Sequence, residues 1–121
     1  MDTEDNIKDF DPSGVGNVNN TIFGLPFTVE KAQTIIIPVP WDVTVSNQDG
    51  TCNGPEAVFD ASFQIDLFDA FAENAWKQGI AMEDISFSLI EKNTKNRKKA
   101  VRYIEFIEEG GNVDENEEML Q

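Results

Sequence analysis

The chain has 121 residues, 40% of them hydrophobic and 26% charged, with 23 Asp and Glu against nine Lys and Arg, a formal net charge of −14. Such a charge opposes the phosphate backbone of nucleic acid and the anionic face of a membrane, both of which need Lys and Arg to attract them. Histidine is absent, which excludes Ser-His and Cys-His nucleophile pairs and any histidine-ligated zinc or manganese site.

The length fits one domain, and nine Phe with two Trp call for a genuine core. The longest apolar run, Thr34 to Trp41, is far short of the ~20 residues a membrane-spanning helix needs. The acidic opening Met1-Asp2-Thr3-Glu4-Asp5 lacks the apolar stretch of a secretory signal. A single cysteine, Cys52, forms no internal disulfide and agrees with a reducing, cytoplasmic setting.

In chain order, residues 1–20 are rich in Asp, Asn and Gly without periodicity and are predicted to form an irregular or disordered leader, with the α/β domain occupying 21–121. Asn19-Asn20-Thr21 matches a glycosylation sequon that is idle without secretion. Ile22 to Phe27 is an apolar patch broken by Gly24 and Pro26, suited to lying on a core without regular structure. Thr28 to Ala32 is predicted as a short turn or a single helical turn. Thr34-Ile35-Ile36-Ile37-Pro38-Val39-Pro40-Trp41 is apolar at nearly every position, the pattern of a strand covered on both faces and ended by its prolines.

Asp42 to Asn53 holds turn-forming residues and predicts a loop. Gly54-Pro55-Glu56 opens a helix to about Ala72, with Val58, Ala61, Ile65 and Phe68 as its buried stripe, widened by Phe59, Phe63, Leu67 and Phe71. Ile80 to Met82 is a short strand, and Ile85 to Leu89 alternates as a second strand or extended segment. Thr94 to Glu109 predicts a helix with Val101, Ile104 and Ile107 inward and Gly110-Gly111 ending it. Asp114 with Glu117 has the spacing of a capping box for a further helix over 115–121. This order implies an α/β arrangement with a parallel sheet and right-handed crossovers. It supplies too few helices to cover both faces of a central strand, so the chain reads as the first third of a larger α/β protein.

Few side chains form chemically suggestive clusters. Aligning Asn47, Asp49, Gly50 and Glu56 to an EF-hand loop leaves Val45 at the first ligand position, which argues for a plain turn and helix start. The basic cluster Lys92, Lys95, Arg97, Lys98, Lys99 and Arg102 is read as a solvated helix face. Cys52 has no adjoining cation to lower its pKa and is read as inert. Asp66 with Asp69, and Glu108 with Glu109, are read as solvent-facing helix positions, and Trp41 and Trp76 as core or sheet-edge aromatics.

Four separated blocks then stand in order: Phe23-Gly24-Leu25-Pro26-Phe27; Ile37-Pro38-Val39-Pro40-Trp41-Asp42-Val43-Thr44-Val45-Ser46; Asp49-Gly50-Thr51-x-x-Gly54-Pro55-Glu56-Ala57-Val58; and Ala61-Ser62-x-Gln64-x-Asp66. Over about residues 21–110 the chain resembles the opening of the arginase/agmatinase ureohydrolase family, most closely its agmatinase-like branch. The resemblance implies the start of a three-layer α/β/α parallel-sheet fold, incomplete here, in which Gly50, Gly54 and Pro55 are a structural signature. It implies an intact enzyme that hydrolyses a guanidino compound such as agmatine to urea with two manganese ions, as a homo-oligomer. Ligands in open α/β sheets sit beyond the carboxyl ends of strands, so Trp41, Asp42 and Ser46 are expected on a substrate rim. The family's metal motifs, Gly-Gly-x-His, Asp-x-His-x-Asp-x-His and Ser-x-Asp-x-Asp, do not occur here. No catalytic or metal-ligating residue is therefore assigned, and this chain alone is expected to be inactive. The alternative is a small acidic, non-catalytic α/β binding domain.

Overall fold

In the computed structural model, which describes residues 3–121, the isoleucine run supplies one strand of a parallel pair. Thr34–Ile36 forms β1 and Ile80–Met82 forms β2, in the register Thr34↔Ile80, Ile35↔Ala81 and Ile36↔Met82. Helices accompany this two-stranded parallel sheet: α1 (Thr3–Lys8), α2 (Gly54–Ala61) and α3 (Phe87–Glu108). The chain divides into two units, Met1–Pro38 with Pro55–Ile85, and Val39–Gly54 with Ser86–Gln121.

In the first unit the core is the cluster Leu25, Phe27 and Trp76, against which Ile7, Phe10, Phe23, Ala32, Leu67 and Ile80 pack. The apolar patch after Thr21 is wound into a 3₁₀ turn, Ile22–Gly24, and the Thr21 hydroxyl bonds the carbonyls of Leu25 and Phe27. Burying Ile22 and Leu25 completely in this way is favourable by about 1.5–3 kcal/mol per side chain. Gly79 has φ +80°, and a Cβ there would lie 2.8 Å from Cδ1 of Phe27. Only glycine lets the chain enter β2 so close to the core.

Several expectations for this unit are corrected. The stretch read as an irregular leader holds α1, and Ile7 and Phe10 anchor it by packing on the core. Strand β1 ends at Ile36, before its prolines as expected, and so takes up only the start of the apolar run 34–41. It is not covered on both faces either: Ile37 is 72% exposed, while Pro38 beside it is buried. Helix α2 stops at Ala61 and passes through a 3₁₀ turn, Ser62–Gln64, instead of running to Ala72. Beyond it the Asp66 carboxylate accepts from the Phe68 N–H, and that of Asp69 from those of Phe71 and Ala72. Such local bonds compete with helix, so these two carboxylates are exposed turn-formers and not helix positions. Of the expected buried stripe, Val58 and Phe68 face water, 60% and 62% exposed, while Phe59, Phe63 and Leu67 are half-buried. Ser62, just past the helix, is buried instead: its hydroxyl donates to the Phe59 carbonyl and accepts from the Phe23 N–H, with Phe59 and Phe63 half-buried beside it.

In the second unit, α3 is longer than predicted and takes in Phe87 to Leu89 of the segment 85–89 read as a strand or extended segment, while Ser86 stays extended. Ser86 caps it, its Oγ accepting from the Leu89 N–H at 3.2 Å. Gly110 and Gly111 follow the helix end as expected, and Val101 and Ile104 are half-buried. Ile107, expected inward, is exposed. No helix forms over 115–121. Asn112, not Asp114, caps a 3₁₀ turn at Val113–Glu115, and the Asn116 side chain accepts from the N–H groups of Glu118 and Met119, which holds that segment in turns. No helix among the described residues is long and apolar enough to cross a membrane.

Candidate functional site

The loop 41–53 carries the three residues expected on a substrate rim. Asp42 is buried, Trp41 is 41% exposed and Ser46 is exposed. Trp41 and Ser46 therefore share the solvent side of the loop, while the Asp42 carboxylate is turned inward and its oxygens are occupied.

One Asp42 oxygen, Oδ1, accepts from Nδ2 of Asn93 at 2.9 Å. The other, Oδ2, accepts from the N–H groups of Gly50 at 2.9 Å and Cys52 at 3.3 Å. The Asp42 N–H donates to Oδ1 of Asn93 at 2.8 Å, so the Asn93 amide grips both backbone and side chain of one residue. Gly50 reaches its place with φ +123°, a conformation that favours glycine, which gives this member of the expected structural signature a physical reason. Gly54 differs: it sits in ordinary helical conformation with open space where a Cβ would be. Pro55 occupies the first turn of α2, where a missing N–H costs nothing.

Arg97, one helical turn beyond Asn93, donates from Nη1 to the carbonyls of Val43, at 3.0 Å, and Val45. Its Nε is buried without a hydrogen-bond partner among the described residues. Arg97 thus departs from the solvated face expected of the basic cluster. Lys92, Lys95, Lys98 and Lys99 keep to that face, and Arg102 forms an exposed ion pair with Glu118.

The hydrogen bond from Asn93, followed by that from the Gly50 N–H, holds the Asp42 carboxyl well below its ordinary value of 3.8, because donors favour the charged form. The Cys52 thiol is pushed above its ordinary 9.0, first by its hydrogen bond to Asp42 and then by burial. A thiol so disposed is a poor nucleophile at neutral pH.

The site can therefore order a loop; it presents no acid–base or nucleophilic pair. No group of three or more His, Cys, Asp or Glu side chains gathers to hold a metal among the described residues. Asn93 and Arg97 were not legible as loop partners, since they stand 51 to 54 residues from the groups they bind. Comparison with protein-family models, with curated proteins and with solved structures yields no match.

Proposed function

We propose that the chain is part of the scaffold of an agmatinase-like ureohydrolase, whose intact form hydrolyses a guanidino compound such as agmatine to urea and an amine. The observation that carries the reading is positional. The Gly50 to Pro55 block coincides with the junction between the loop after β1 and helix α2, and β1 pairs in parallel with the next strand. Ligands of open α/β sheets lie beyond the carboxyl ends of such strands, the end of β1 from which Trp41 and Ser46 follow. The reading carries with it a cytoplasmic homo-oligomer.

The residues present do not fit the pair of manganese ions the family uses. Histidine is absent and no three carboxylate or thiol groups gather among the described residues, so no step of the reaction is assigned to this chain. Incubated alone with manganese and agmatine, it should release no urea.

A chimera tests the proposal. Replacing the corresponding opening segment of a complete agmatinase with this chain should preserve manganese-dependent urea release. A folded chimera that binds manganese and releases none would sink it. One observation favours a second reading as an acidic binding domain: Ile65, Phe68 and Phe71 are exposed among Asp66, Asp69 and Glu73. Such a module would melt cooperatively by itself and would not function inside the chimera.

A further inference from the structure

We infer that Asn93 and Arg97 are positioning residues: from α3 they set the course of the loop 41–52, and so the presentation of Trp41 and Ser46 on its solvent side. That this loop borders a substrate rests on the ureohydrolase reading; the positioning itself does not.

The argument starts from what else holds the loop. Between Trp41 and Asn53 its backbone makes two backbone–backbone hydrogen bonds within the span, Val45 N–H to the Asp42 carbonyl and Asn53 N–H to the Gly50 carbonyl, and Trp41 N–H reaches back to Val39. All three are local and none ties one half of the loop to the other. Every remaining long-range tie converges on α3: Asn93 holds Asp42 through two bonds, and Arg97 holds the carbonyls of Val43 and Val45. Asp42 then relays the constraint to Gly50 and Cys52 through its second oxygen. Asn93 and Arg97 lie one turn apart on the same helix face, so a single rigid element grips the loop at adjacent points.

The geometry is also selective for these side chains. Asn93 must donate to a carboxylate and accept from an amide at once, which a primary amide does and a carboxylate cannot. Arg97 spans two carbonyls from one terminal nitrogen, a reach its extended guanidinium allows. Ser46 and Trp41 bond to nothing that would place them independently among the described residues, apart from the Trp41 N–H already named.

Hydrogen–deuterium exchange on this chain tests the inference, read at the Asp42, Gly50 and Cys52 amides, with the Glu83 amide as reference because it donates to Ile36 in the other unit. Asn93→Asp keeps the shape of the side chain but sets a like charge against Asp42. It should speed exchange at the three loop amides by at least about tenfold while leaving Glu83 within about twofold. Arg97→Met should loosen the loop less, and Arg97→Lys should recover part of the protection that Arg97→Met loses. The lone thiol gives an independent signal: alkylation of Cys52 by iodoacetamide should accelerate in Asn93→Asp and remain slow in the exposed control Lys95→Gln. Unchanged loop exchange in both Asn93→Asp and Arg97→Met would overturn the inference. So would equal acceleration at Glu83, which would mark a general loss of fold. Neither result bears on urea release by the chimera, so the two proposals can fail separately.

Discussion

In the unit Met1–Pro38 with Pro55–Ile85, the side chains withdrawn from water are chiefly apolar: Ile22, Leu25, Phe27, Trp76 and Ala81. In the unit Val39–Gly54 with Ser86–Gln121 they are Pro40, Asp42 and Asn93 among the described residues. Apolar burial is non-directional and tolerates small shifts of its members. A buried carboxylate bonded to an amide is directional, and leaving either partner unpaired exacts a desolvation cost. The first unit should therefore respond to lost volume and the second to lost donors or lost charge.

The sharpest test of this contrast removes the largest core side chain. Trp76 packs against Phe10 with ring centroids 4.7 Å apart and the rings tilted by 51°, and the Lys77 ammonium sits 5.7 Å from the centre of its ring. Trp76→Ala should cost about 3–5 kcal/mol, read as a fall in the midpoint of urea denaturation. A change within experimental error would mean that the cluster around Leu25 is not what holds the first unit.

A smaller effect belongs to Asp42 and has a definite sign. Its carboxyl lies below its ordinary value in the folded chain, so its stabilising contribution is complete above that ordinary value and is lost as pH falls toward the folded one. Asp42→Asn should melt below the unsubstituted protein at about pH 5, and the gap should narrow on acidification to about pH 2. A gap that stays constant over that range would show that charge is irrelevant to the loop. The smallest effect is expected at Arg102, whose side chain is 63% exposed in its pair with Glu118. Arg102→Gln should shift stability by less than about 1 kcal/mol and less still in high salt, again by denaturation midpoint.

Legibility from sequence followed the range of the interactions involved. The core patch Ile22 to Phe27, strand β2 and the parallel order of strands were readable because runs of apolar and β-branched residues report burial directly. Element ends were misjudged where one polar side chain decides them. Ser86 as a cap, and Asp66 and Asp69 as turn-formers, each redirect several residues with one or two bonds that no periodicity reveals. The loop was recognisable and Asp42 was singled out within it, but its inward turn was not. That orientation is set by Asn93 and Arg97, and nothing in the residues around either position advertises a partner some fifty places away. Arg97 in particular is hidden by its setting, since Lys95, Lys98 and Lys99 around it do point to water.

The open side of β1 bears on how the protein behaves in concentrated solution. Ile35 on β1 and Ile37 just past its end leave apolar side chains in water, the kind of surface that invites sticking between molecules. At neutral pH every molecule also carries fourteen excess negative charges, and their mutual repulsion keeps such surfaces apart. Salt weakens that protection, since the range of the repulsion shrinks from about 10 Å at 0.1 M to about 3 Å at 1 M. The osmotic second virial coefficient should thus pass from positive to negative as salt is added, which makes dilute, low-salt buffer the natural medium for handling this chain.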